Sequence, residues 1–201
     1  MPRPFLIQAG DVNLEAIWHP AHDEIARCVV AHPHPQFGGS MNNNVVDALC
    51  EILPMRGVSA LRFNFRGVGR SSGSFGGGEP EAGDLLACVR YLAEETDVKV
   101  FVAGYSFGAA VACIMAEQTI EAQAYALISP PVGMFDVRYP DKAPTLVLAG
   151  DRDPYGEPES VRALAEKNTL VSIIPDVDHF WVGSEELMAH KTADFLVARG
   201  H

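Results

Sequence analysis

The sequence predicts an α/β protein: a mostly parallel sheet of eight strands with helices on both faces. Three observations carry this. Short β-type runs alternate with helical runs after an opening pair of strands, and such alternation builds a parallel sheet covered on both sides. The run Arg27–Ala31 (R-C-V-V-A) reads as a buried strand. An apolar strand at 98–103 turns at once into a small-residue helix beginning near Ala109. At 201 residues, 48% of them apolar, the chain is of a size to build one sizeable core, and it shows no repeat, linker or break. It is therefore expected to be one domain over residues 1–201.

The elements follow in order. Phe5–Gln8 and Leu14–Trp18 form an opening hairpin turned near Gly10-Asp11, and Arg27–Ala31 is the third strand. Asn42–Leu53 is helical, with Val45, Val46, Leu49, Ile52 and Leu53 on one face, a spacing that suits a half-buried helix. Ser59–Asn64 returns as a strand, and Glu81–Glu94 is a helix burying Leu85, Leu86, Val89 and Leu92. Ala124–Ile128, Thr145–Ala149 and Leu170–Ile174 are the last three strands. Pro158–Lys167 is a helix with proline in its first turn, where no N–H is needed, and Glu185–Val197 closes the chain. The Gly/Ser-rich stretch 71–78 lacks the G-K-[ST] ending of a phosphate loop and reads as a surface loop, with a cleft-bordering loop as the alternative.

Composition excludes several functions. The net charge of −11 argues against nucleic acid or an anionic membrane as partner. No run is long enough to span a bilayer, and the first residues lack the apolar core of a secretion signal. Cys28, Cys50, Cys88 and Cys113 are widely spaced in apolar segments with no C-x-x-C pair. They are expected to be buried reduced thiols, which suits a cytoplasmic protein, monomeric or homodimeric.

The chemistry centres on Gly104-Tyr105-Ser106-Phe107-Gly108. G-x-S-x-G between a strand and a helix is a nucleophile elbow, where glycines permit the tight turn and the serine is pushed out of the sheet. A serine hydroxyl needs a base, and the base an orienting acid. Past two later strands stand Asp153, in Ala149-Gly150-Asp151-Arg152-Asp153-Pro154, and His179, in Pro175-Asp176-Val177-Asp178-His179-Phe180. Asp151 is the rival acid, better suited to bracing its loop; Asp176 and Asp178 are further alternatives. His179 outranks His19, His22, His32, His34, His190 and His201 by position. The Phe107 N–H is expected to be one oxyanion donor. The second comes from the loop His32–Ser40, where Pro33 and Pro35 have no N–H; His34 takes the donor's place, with Phe37 and Gly38 open as alternatives. His32-Pro33-His34 also has a metal-ligand spacing, but no further ligand follows nearby, so neither metal nor cofactor is expected. Arg66 is read as tying its loop down through loop carbonyls, with a substrate-anion clamp as the alternative.

Taken together, these motifs resemble the α/β-hydrolase superfamily from about Arg27 to Trp181. More narrowly, the chain resembles small bacterial members related to dienelactone hydrolases and serine aminopeptidase-like hydrolases. The resemblance rests on Gly38-Gly39-Ser40-Met41-Asn42-Asn43, on Arg62-Phe63-Asn64-Phe65-Arg66-Gly67-Val68-Gly69, on the elbow, and on Gly150-Asp151-Arg152-Asp153 and Asp178-His179-Phe180-Trp181. It implies an α/β-hydrolase fold with Ser106, His179 and Asp153 as triad. Asn64 departs from the aspartate common at that place. Lids in this superfamily usually follow the sixth strand, and Pro130–Ala143 is too short for a cap domain. An uncovered cleft is therefore expected, with Phe37, Tyr105, Phe180 and Trp181 binding substrate, and Phe75, Phe107 or Met134 near its rim. The expected activity is a carboxylesterase acting on small acyl esters. A thioesterase or small-peptide hydrolase is the alternative, and an inert scaffold binding a small ligand is the alternative of another class.

Overall fold

The computed structural model describes residues 3–94, 96–119 and 121–200. Strands β1 (Phe5–Ala9) and β2 (Val12–His19) form the expected hairpin, closing at Ala9 opposite Val12. They are followed by β3 (Ala26–Ala31), helix α1 (Asn44–Met55), β4 (Val58–Phe63) and α2 (Glu79–Ala93). Then come β5 (Lys99–Tyr105), α3 (Phe107–Gln118), β6 (Tyr125–Ile128) and β7 (Thr145–Gly150). Helix α4 (Pro158–Ala163), β8 (Thr169–Ile174) and α5 (Glu185–Gly200) complete the order. Among the described residues these eight strands make one sheet in the order β1-β2-β4-β3-β5-β6-β7-β8, in which β2 runs antiparallel to both its neighbours, β1 and β4, and every other neighbouring pair is parallel.

Of the element ends that differ from the sequence expectation, two have clear local causes. Helix α1 begins at Asn44 because the Asn43 side chain accepts the Val45 N–H at 3.0 Å, making residue 43 a cap. Helix α4 stops at Ala163 rather than Lys167, since the Thr169 N–H bonds the Glu166 carbonyl at 2.9 Å and turns the chain into β8.

The core lies in two layers. Side chains alternate across each central strand: Val29 and Ala31 of β3, Val100 and Val102 of β5, and Val147 and Ala149 of β7 pack with α2, α3 and α4. Cys28 and Val30, Phe101 and Ala103, and Leu146 and Leu148 pack with α1 and α5. Both faces are thus apolar, as a parallel sheet requires. Chain order reverses direction between β3 and β5, which lie side by side. A crevice opens beyond the carboxyl ends of strands at such a switch point. The loops after β3 and β5 both end there, and β6 passes to β7 through residues 129–144 without a helix.

Candidate active site

Ser106 sits between β5 and α3 at φ 54°, ψ −116°, a conformation that L-residues rarely adopt. It is held there from both sides. The Ser106 N–H bonds the Ile128 carbonyl at 2.9 Å, and its own carbonyl accepts the Ala109 and Ala110 N–H groups. The flanking glycines have a steric cause. A Cβ on Gly104 would stand 2.4 Å from the Gly108 carbonyl oxygen, and one on Gly108 would stand 2.4 Å from the Ala31 oxygen.

His179, in the loop after β8, places Nε2 3.0 Å from Ser106 Oγ. Its Nδ1 lies 2.8 and 3.0 Å from the two carboxylate oxygens of Asp153, in the loop after β7. A carboxylate only accepts, so Nδ1 carries the proton and Nε2 is left free to accept from the serine hydroxyl. All three residues are buried. The loops that bring acid and base together are stitched to each other: the Arg152 N–H donates to the Val177 carbonyl at 3.0 Å. Asp151 has the bracing place, accepting the Asp176 N–H at 2.8 Å. Asp176 pairs with Arg152, and Asp178 accepts the Phe180 N–H at 2.9 Å. His201 lies outside the described residues.

The loop after β3 is anchored by His32. Its Nε2 accepts the Phe65 N–H at 3.1 Å and its Nδ1 donates to the Pro33 carbonyl at 2.6 Å, so both ring nitrogens are engaged by backbone. Burial pushes its pKa down to about 4, keeping the ring neutral. His34 Nδ1 accepts the Gln36 N–H, and the His34 carbonyl accepts from Phe37 and Gly39. The His34 ring packs at 4.8 Å against Phe107, which starts α3 and presents the first, unbonded N–H of that helix. Among the described residues no set of three or more His, Cys, Asp or Glu side chains is arranged to hold a metal ion.

These groups open into a cleft of about 520 Å³. Phe37, Tyr105, Phe107, Phe180 and Met134 line it as the sequence suggests. Trp181 does not, and the expectation that it binds substrate is corrected. Its side chain is wholly buried, at φ 61°, and its Nε1–H donates to Ser129 Oγ at 3.0 Å. The positive φ turns this indole into the α1/α5 core layer, so it anchors the His179 loop instead. Phe75 lies behind the lining, against His34 at 4.9 Å and Phe107 at 5.6 Å. Tyr105 is nearly wholly buried, and its hydroxyl donates to the His179 carbonyl at 2.9 Å. Sequence reasoning missed Pro131, Phe135, Asn43 and Tyr155, which also line the cleft. The Tyr155 ring packs edge-on against His179 at 4.8 Å, and its N–H donates to Asp153 at 2.9 Å. The last contact was within reach, since Tyr155 lies two residues after the acid.

Two motif residues take clearer shape. Arg66 meets neither loop carbonyls nor the cleft. It forms a forked ion pair with the buried carboxylate of Asp84 on α2, at 2.6 to 3.1 Å. Asn64 accepts the Met41 N–H at 2.9 Å and donates to Glu15 at 2.9 Å. An aspartate there would set a second carboxylate against the buried Glu15, so the amide is the group that fits.

The comparisons with known proteins agree with this geometry. A model of the alpha/beta hydrolase domain matches residues 25–194. An uncharacterized protein of Rickettsia prowazekii (strain Madrid E) is 32% identical over 184 residues, covering 84% of this chain and 77% of that protein. An alpha-beta serine hydrolase homologue from Coxiella burnetii superposes with a TM-score of 0.86 at 29% identity, covering 96% of this chain and 97% of its own. A serine hydrolase without lid from Xanthomonas campestris gives 0.88 at 29% identity, covering 98% and 94%. With the switch-point crevice, the elbow and the lidless β6–β7 connection all in place, the chain belongs to the alpha/beta hydrolase family.

Proposed function

We propose that the protein is a serine carboxylesterase acting on small acyl esters in an open cleft. The observation that carries this reading is the unbroken line of buried hydrogen bonds from Asp153 through His179 to Ser106 Oγ, 2.8 and 3.0 Å long. His179 Nε2 takes the hydroxyl proton as Oγ attacks the ester carbonyl carbon. The oxyanion that forms is held by the Phe107 N–H, with the positive end of α3 behind it, and by the His34 N–H. Collapse breaks the acyl–oxygen bond. The leaving alkoxide takes the proton from His179, and the acyl group stays on Ser106. Water then gives its proton to the same nitrogen, attacks the acyl-enzyme, and releases the acid. Asp153 holds the ring in the tautomer that both halves need.

The four cysteines are free and buried, and burial holds their thiols well above the ordinary range. They stay inert beside the serine, and such thiols suit the reducing cytoplasm.

The test is labelling with a fluorophosphonate probe and location of the adduct by mass spectrometry, with Ser106→Ala as control. The expected result is a single adduct on Ser106; its absence would sink the reading. Nitrophenyl esters from two to sixteen acyl carbons should lose kcat/KM with length, and matched thioester and amide substrates should be poorer than the ester.

A further inference from the structure

The cleft's lining carries information about charge and shape that the triad does not. Apart from Ser106, His179 and His34, its side chains are aromatic, aliphatic, thioether or amide, and among the described residues no Lys, Arg, Asp or Glu lines it. The guanidinium groups nearest in sequence to lining residues are already paired, Arg152 with Asp176 and Arg138 with Asp136 and Glu117. Beside the rim stand carboxylates instead. Asp178 accepts the Phe180 N–H, and Glu185 shares Asn44 with the Phe180 carbonyl. Within a chain of net charge −11, that rim repels anions.

Shape comes from a shelf of rings. Phe37, His34, Phe107 and Phe135 follow one another in tilted contact, with centroids 4.8, 4.8 and 5.8 Å apart. The shelf runs past the Phe107 end of the elbow. Its outer end and a neighbour of its inner end are left open: Phe37 is 78% exposed, and Met134, next to Phe135, is 54% exposed. Large apolar side chains gathered in the open at one spot mark a place where something apolar binds. A tilted ring series is completed best by another planar ring, and the cleft's volume can hold a small aryl ester whole.

We infer that the cleft selects uncharged esters with a planar aromatic acyl group and turns away substrates that carry an anionic group. This rests on the serine esterase reading above and names its substrate class. The ring of the acyl group lies on the Phe37–Phe135 shelf while its carbonyl faces the His34 and Phe107 N–H groups. A carboxylate or phosphate on the substrate would lose its water with no cation to replace it.

The experiment compares 4-nitrophenyl acetate, benzoate, 4-methylbenzoate and 4-carboxybenzoate, each kcat/KM divided by that ester's hydroxide-catalysed rate. Benzoate is expected to exceed acetate about threefold to tenfold, the range a ring contact carries. The 4-carboxybenzoate is expected to fall at least about tenfold below the isosteric 4-methylbenzoate, a gap that narrows in 1 M salt as screening shortens the field. Phe37→Ala should lower the benzoate value more than the acetate value. Normalised benzoate at or below acetate, or equal rates for the carboxy and methyl esters, overturns the inference. If Ser106 still takes the fluorophosphonate in that case, the esterase reading stands without it. No labelling of Ser106 removes both.

Discussion

The two sides of the cleft are built on opposite principles. The side formed by the loops after β7 and β8 is tied through its polar groups, with the exposed Tyr155 and Phe180 rings at its edge. Asp153 accepts from both His179 and the Tyr155 N–H, Asp151 braces Asp176, and the His179 carbonyl is held by Tyr105. The side formed by the loops after β3 and β6 lines the cleft with the His34, Phe37 and Phe135 rings and the Met134 thioether, and Phe37 and Met134 stand in the open. Proton transfer needs groups fixed to within a fraction of an ångström, which buried hydrogen bonds supply. Binding a neutral acyl group needs only exposed apolar surface. Substitutions on the tied side should therefore damage turnover, and substitutions on the open side should damage selectivity.

The strongest break in this contrast is Asp153→Asn. An amide can present its NH₂ group to Nδ1 and so favour the wrong tautomer, and kcat should fall on the order of 10⁴-fold with KM little changed. Steady-state kinetics on one nitrophenyl ester checks this. A loss under tenfold would mean that another carboxylate serves the base.

Trp181→Phe comes next. It leaves Ser129 Oγ and a buried space unfilled, for about 2 to 3 kcal/mol of stability by urea denaturation. Because the indole faces the core, KM should not move. A raised KM with unchanged stability would return Trp181 to the cleft.

His32 supplies a pH dependence. Its folded-state pKa, about 4, lies below the ordinary histidine value of 6.5. The unfolded chain therefore takes up a proton first as pH falls. The stability that the neutral ring contributes is fully present above about 6.5 and is lost progressively down to about 4. Between pH 7.5 and pH 5 the loss should be about 2 kcal/mol. Urea midpoints at the two pH values, with and without His32→Gln, measure it; equal pH slopes for the two proteins would refute the assignment.

The smallest expected effect is that of Tyr105→Phe. It keeps the ring and removes the hydroxyl that holds the His179 carbonyl. We expect kcat to fall about tenfold or less, KM to stay constant, and stability to drop about 1 kcal/mol. If KM rose instead, Tyr105 would belong to the binding side.

The legibility of the molecule follows the same division. The placement of Ser106, Asp153 and His179 together was readable because each lies in a short motif at a strand end, with backbone needs written into its own residues. Both carboxylates of Gly150-Asp151-Arg152-Asp153 were visible too, with Asp153 ahead on motif context. The far wall was not readable. Pro131 and Phe135 belong to no motif, and they reach the cleft only because β6 lies beside β5. Trp181 misled for a related reason. One positive φ after Phe180 sends adjacent aromatic residues in opposite directions, one to solvent and one to the core. Arg66 found its partner on α2, a helix whose distance from that loop the sequence does not state.

By itself, then, the chain's order of residues determined the alternation of strand and helix, the strained serine between two glycines, and the succession of Ser106, Asp153 and His179 at strand ends. Those depend on hydrogen bonds and sterics within a few residues. Only the tertiary structure decided which aromatic side chains line the cleft, which buried amide or carboxylate each loop leans on, and that among the described residues no Lys, Arg, Asp or Glu lines it. These depend on strand order and on burial, and both are settled by packing segments that lie far apart in the chain.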